Sequence, residues 1–289
     1  MTHILISSFF IIFASIFFVI HDAIINYLSP KNIQFYHFVF YGAPVYLSVL
    51  LFLFFKGQIK EKLSATNYFI PLVRGLILTL IPFIAFVSLK HISLPEYTTL
   101  NMSAPIFAII ISLFFLKERL NSFLLLSLVF GFLGVLFVTQ PGFDNFNIYF
   151  ILVLFGSLLI TFSSVMVNKY NTVTSSVGYF LYGGIFIHLL SFILFVLDPL
   201  FLDFYHLFLI VIASIFINIA IFFMVCASQR SQKYYASIFC LVYLQILWSV
   251  LIGIFIFKEY LNNFALIGAF FIILSGLFSL PAQYKQRKG

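Results

Sequence analysis

The sequence predicts an all-α membrane protein of ten transmembrane helices, arranged as two inverted five-helix repeats around a central cavity. Three observations lead there. Of 289 residues, 63% are apolar and only 8% charged, with a mean hydropathy of +1.17, whereas a soluble domain is about half apolar and a quarter charged. The apolar residues fall in continuous runs of about 20, the length at which a helix crosses a hydrocarbon core of roughly 30 Å. A membrane barrel would instead show short alternating strands. The third observation is an internal repeat at an offset of 141 residues.

In chain order the runs predict helices at roughly 4–28, 34–55, 69–90, 95–116, 122–140, 147–168, 177–197, 205–226, 236–257 and 262–281. The first run lacks a basic n-region and a small-x-small cleavage site, so it reads as the first helix and not as a cleavable signal. Breakers mark many of the gaps: Ser29-Pro30-Lys31-Asn32, Pro141-Gly142, Asp198-Pro199 and the polar run from Ser228 to Lys233. The predicted connections are short, which argues against a soluble catalytic domain or a receptor.

The charges test the helix count. Ten helices put both termini on one side. That side receives twelve basic residues, Lys56, Lys60, Lys62, Arg74, Lys117, Arg119, Lys169, Arg230, Lys233, Lys285, Arg287 and Lys288. The other side receives three, Lys31, Lys90 and Lys258. Positive loops stay in the cytoplasm, so both termini are expected there, in a multi-pass protein of the bacterial inner membrane. The net charge of +7 is therefore read as orientation and not as a nucleic-acid surface. The 43 Phe residues need no special role, because Phe, Leu and Ile are near-equivalent against lipid. Cys226 and Cys240 have no metal or redox spacing and read as small buried apolar residues.

The repeat aligns Lys117-Glu118-Arg119-Leu120-Asn121-Ser122-Phe123 with Lys258-Glu259-Tyr260-Leu261-Asn262-Asn263-Phe264. At the same offset Phe130, Leu133, Leu136 and Phe137 meet Phe271, Leu274, Leu277 and Phe278. Residues 1–141 thus form one five-helix unit and residues 142–289 the second. Five is odd, so the second unit enters the membrane from the opposite face. Inverted repeats place a binding site near the midplane between the halves and permit alternating access. A channel can share that symmetry.

The stretch Ala85-Phe86-Val87-Ser88-Leu89-Lys90-His91-Ile92-Ser93-Leu94-Pro95-Glu96, with Pro105 and Phe115-Leu116-Lys117-Glu118-Arg119-Leu120, resembles the drug/metabolite transporter superfamily and its EamA-type ten-helix branch. The second half carries the matching Phe257-Lys258-Glu259. His21-Asp22-Ala23, Tyr27-Leu28, Arg74-Gly75-Leu76, Asn168-Lys169 and Tyr243-Leu244-Gln245 are similar to a narrower group that includes S-adenosylmethionine uptake carriers. Asn26 and Tyr41 depart from that group, where Lys and Arg are common. The resemblance implies a cavity framed by the first, third, fourth, sixth, eighth and ninth helices, with the fifth and tenth peripheral. It implies a secondary carrier of small organic metabolites of the S-adenosylmethionine-like, nucleoside, vitamin or amino-acid class. A broad exporter of the same fold is the neighbouring alternative.

A charge at membrane depth is costly and marks a functional candidate. Asp22 lies in the first predicted helix with Asn26 on the same face one turn later. It can meet a substrate cation, carry a coupling proton, or serve as interhelical glue. His37 and Tyr41 open the second helix at similar depth, as cavity or interface residues. Glu96 sits in Ser93-Leu94-Pro95-Glu96, the pattern of a helix N-terminal capping box, with substrate contact or proton coupling as the functional reading. Glu118 and Glu259 sit at helix ends, suited to ion pairing or gating. Tyr97, Asn101 and Pro105 share a face of the fourth helix, where Pro105 frees a carbonyl and permits a kink. Tyr243, Gln245 and Trp248 stand at the corresponding depth of the ninth, so the two clusters are expected to face each other. Arg74 reads as a side chain that snorkels to headgroups, with a gate role as the lesser reading.

No P-loop, HExxH, GxSxG or CxxC motif occurs, so no cofactor, metal or catalytic residue is expected, and the protein is read as a non-enzyme. The expected partners are lipid, a small-molecule substrate, and a coupling proton or counter-substrate. The rival class, a lipid-modifying membrane enzyme, would have to be built on His21, Asp22 and His37.

Overall fold

The computed structural model describes residues 2–28, 31, 33–92, 94–117, 121–139, 148–231, 234–256 and 263–286. Its regular structure is helical, and the described residues pair as β-structure only in an isolated bridge between Ala65 and Thr174. The helices are α1 (Thr2–Leu28), α2 (Phe35–Phe55), α3 (Ile59–Leu63), α4 (Phe69–Leu78), α5 (Leu80–Leu89), α6 (Leu94–Asn101) and α7 (Ala104–Phe115). They continue with α8 (Ser122–Thr139), α9 (Ile148–Lys169), α10 (Ser176–Leu197), α11 (Phe204–Ser231), α12 (Tyr235–Phe239), α13 (Leu244–Phe255) and α14 (Asn263–Gln286). Among the described residues seven spans are long and apolar enough to cross a membrane. Ala104–Phe115, Ser122–Gly134 and Leu266–Phe278 form shorter apolar helices where the sequence predicts the remaining three. The outward surface is apolar, with Phe55, Phe114, Phe201 and Phe204 widely exposed. Exposed rings on this scale suit lipid and not water.

Three predicted helices are interrupted. The third divides at Thr79 into α4 and α5, where Pro82 has no N–H to offer the Leu78 carbonyl. The fourth divides at 102–103 into α6 and α7. Here Pro105 frees the Asn101 carbonyl, and Ser157 of α9 donates a hydroxyl to it at 3.0 Å. The ninth divides into α12, a 3-10 turn over Cys240–Tyr243, and α13, with no proline or glycine in the break. Its four residues are all buried, and the Tyr243 ring lies so close to Gly131 that a Cβ there would overlap it. Packing, and not local chemistry, bends this element. Cys226 and Cys240 are buried free thiols.

Connections gather on two faces. On one, Thr66 N–H donates to the Val173 carbonyl at 2.9 Å. Ser175 Oγ donates to the Lys62 carbonyl at 2.6 Å, and Gln229 Nε2 donates to the Asn171 carbonyl at 3.0 Å. On the other, Lys90 Nζ donates to Gln34 Oε1 at 3.0 Å, and His37 Nε2 donates to the Asp198 carbonyl at 2.7 Å. Chain direction in α1, α4 and α5 is therefore the same, with α2 running back between them. The α8–α14 pair packs through small residues, Gly134 against the Gly268 backbone and Ser127 Oγ against Ser275 Oγ at 3.3 Å, as membrane helices commonly do. The largest buried cluster ties α1, α7, α8, α9, α11 and α12 together, and a second joins α1, α2, α5, α9 and α11. A space remains between them.

Candidate functional site

That space is a cavity of about 230 Å³, many times the roughly 10–15 Å³ that one water occupies by this measure. Its wall is largely apolar, with side chains from α1, α2, α4, α5, α6, α9, α10 and α11. The broken fourth and ninth elements each expose a polar side chain to it, Asn101 at the last residue of α6 and Gln245 at the start of α13. Their breaks explain this. A helix end tips its final side chains away from the stripe they would follow in a continuous helix.

At one end stands Asp22, in the last two turns of α1. His21 Nδ1 donates to Asp22 Oδ1 at 3.0 Å, and the Asp22 side chain is 14% exposed. The His21 ring meets Phe38 edge-on, 5.6 Å between centroids. Tyr97 of α6 shares this cavity wall.

At the other end, toward the start of α4, stands Arg74, 4% exposed. Its Nη1 donates to the Tyr179 carbonyl of α10 at 2.7 Å. Gly183, one turn on from Tyr179, makes room for the guanidinium, since a Cβ there would collide with Nη1. Arg74 Nε has no hydrogen-bond partner among the described residues. The snorkelling expected from the sequence does not occur, because α10 folds over the start of α4 and closes the route to the headgroups. Between the two ends, the Tyr46 and His188 rings stack at 4.1 Å and 13°, and His188 Nδ1 donates to the Gly184 carbonyl at 2.7 Å.

Of the site residues expected from sequence, the cavity brings together Asp22, Tyr97, Asn101 and Gln245. Five others are not among its lining residues. Asn26 is half-buried on α1. His37 accepts from the Gln34 N–H at 3.2 Å while donating to Asp198, so both ring nitrogens are occupied in one tautomer. Tyr41 OH donates to the Leu200 carbonyl at 2.7 Å. Tyr36 OH also bonds the Asp198 carboxylate. Together these pin α2 to the α10–α11 connection. Beside them His206 donates to Asp203, which holds that carboxyl below its ordinary pKa. Tyr243 is part of the apolar core, and Trp248 Nε1 donates to Ser15 Oγ of α1 at 3.0 Å. The Glu96 side chain and all of Glu118 and Glu259 lie outside the described residues. His37, bonded to Gln34 and Asp198, is not among the residues that line the cavity with His21 and Asp22. Arg74, read from the sequence as an interfacial side chain, lines the cavity together with Tyr46 and His188. A signal for them exists in Gly183-Gly184, a small-residue pair of the kind that marks close helix approach.

An apolar helical bundle around a cavity with charged groups at both ends suits a multi-pass membrane protein of the transporter type. Residues 1–140 match the EamA-like transporter family. The S-adenosylmethionine uptake transporter of Rickettsia bellii is 24% identical over 282 residues, covering 92% of this chain and 90% of that protein. The riboflavin transporter of Brucella anthropi is 32% identical over 85 residues, which span 29% of this chain and 30% of that transporter's length. A solved crystal structure at 15% identity superposes with a TM-score of 0.71, covering 94% of this chain and 96% of its own, which shows a shared fold.

Proposed function

We propose that the protein is a secondary active transporter that carries a small organic metabolite across the bacterial inner membrane by alternating access. The observation that carries this reading is the cavity of about 230 Å³ bearing a carboxylate, a guanidinium and the three amides of Asn101, Asn218 and Gln245. Ten membrane-crossing segments in two inverted units, 1–141 and 142–289, are part of the reading. The α8–α14 interface supports the repeat. Phe130 and Phe271, equivalent in the sequence repeat, stack at 5.8 Å. The reciprocal pairs Phe130–Phe278 and Phe137–Phe271 stand at 5.3 and 5.6 Å. A two-fold relation produces such reciprocal contacts. The basic bias of the sequence supports cytoplasmic termini.

In this reading Asp22 binds a substrate cation or carries the coupling proton, and Tyr97, Asn101 and Gln245 contact the substrate. The full-length relatives named for S-adenosylmethionine uptake support a substrate of that class. The test is counterflow in proteoliposomes with labelled S-adenosylmethionine, nucleosides, vitamins and amino acids. Saturable accumulation of one compound, lost in Asp22→Asn, is the expected result. Leakage of solutes without accumulation would make the protein a channel.

A further inference from the structure

The Asp22 end of the cavity suits a cation, but the opposite end is built for the opposite charge. Arg74 is almost fully buried, and no carboxylate pairs with it among the described residues. Its one described bond, from Nη1 to the Tyr179 carbonyl, fixes the guanidinium without neutralising it. Nη1 lies on the Cδ side of the group, so the parallel N–H pair it leaves is the Nε–Nη2 edge. Nε is buried and without a described acceptor. Arg74 lines the cavity, and a guanidinium there offers a carboxylate charge-assisted N–H donors. Gly183 and the Tyr179 carbonyl hold the group in place before any ligand arrives. A buried, unpaired charge is costly unless something compensates it, and the cavity is where the compensating group can enter.

We infer that Arg74 is the anion-binding end of the transport cavity, taking the carboxylate of a zwitterionic substrate whose cationic part reaches the Asp22 end. The inference rests on the transport reading and deepens it. Arg74 selects for the carboxylate, and the apolar wall between the two charged ends accommodates the body of the molecule.

The test has two arms on the full-length protein. In the first, S-adenosylmethionine and its decarboxylated analogue, which differ at the carboxylate, compete for labelled S-adenosylmethionine in proteoliposomes. The wild type should prefer the acid by on the order of a hundredfold, the size of losses when one partner of a buried charge pair is removed. Arg74→Gln should abolish the preference, and Arg74→Lys should retain part of it. Equal competition in the wild type, or a preference that survives Arg74→Gln, overturns the inference while leaving transport intact. Transport confined to compounds without a carboxylate overturns it as well. The second arm compares thermal unfolding of the ligand-free wild type and Arg74→Gln. An unchanged or higher Tm in the variant is expected of a charge kept for a ligand. A Tm lower by more than about 5 °C would make Arg74 a structural strut. If nothing is transported, the functional reading fails, and this second arm still decides the role of Arg74.

Discussion

The two ends of the cavity hold their charges in different ways. Asp22 has His21 at 3.0 Å and keeps 14% of its side chain exposed. Arg74 is 4% exposed and bonded to a backbone carbonyl. The acid therefore has a resident hydrogen-bond partner, whereas the guanidinium has a holder and no described counter-charge. The difference suggests that substrate meets a competitive, adjustable group at one end and a fixed, preformed one at the other.

The largest expected effect breaks the comparison at its adjustable end. Asp22→Asn should slow counterflow by on the order of a hundredfold, the size of losses when one member of a buried charge pair is truncated. A full rate in that variant would reduce Asp22 to packing. Gly183→Ala disturbs the fixed end without touching the charge. Its Cβ collides with Nη1, and overpacking costs about 1–3 kcal/mol. A fall in Tm of several degrees, on the order of 2–4 °C per kcal/mol, together with weaker transport, should be seen. An unaltered Tm would show that the guanidinium can settle elsewhere.

The third prediction concerns the break between the ends. Ser157→Ala removes the hydroxyl that caps the Asn101 carbonyl at 3.0 Å. Stability should fall by about 1–2 kcal/mol, read from thermal or denaturant unfolding, and the apparent KM should rise as Asn101 shifts. The smallest effect lies outside the cavity. Tyr41→Phe loses the bond to the Leu200 carbonyl at 2.7 Å, worth about 0.6 kcal/mol in membrane proteins. Tm should drop slightly while the substrate affinity stays the same. A large affinity change in Tyr41→Phe would mean that the α2 pin belongs to the binding machinery.

The break at Asn101 was legible from Pro105, because a missing N–H is a local, chemical cause. The break over Cys240–Tyr243 was not, since no residue in it resists helix. It arises from Tyr243 being driven against Gly131, a contact across more than a hundred residues of chain. Trp248 shows the same limit. It lies three residues from Gln245 in the same helix, α13, yet it bonds Ser15 of α1 while Gln245 lines the cavity. Arg74 was read as an interfacial cation because its position in the run is near an end, and nothing local announces that α10 covers it.

The sequence by itself determined that the protein is helical and membrane-embedded, since lipid leaves long apolar runs no other way to satisfy their backbone. It also placed Asp22, Tyr97, Asn101 and Gln245 at depths where a cavity can use them. Only the tertiary structure decided which of the polar groups share that cavity. The rotation of each helix about its axis, and the breaks that redirect its side chains, are set by packing against neighbours distant in the chain.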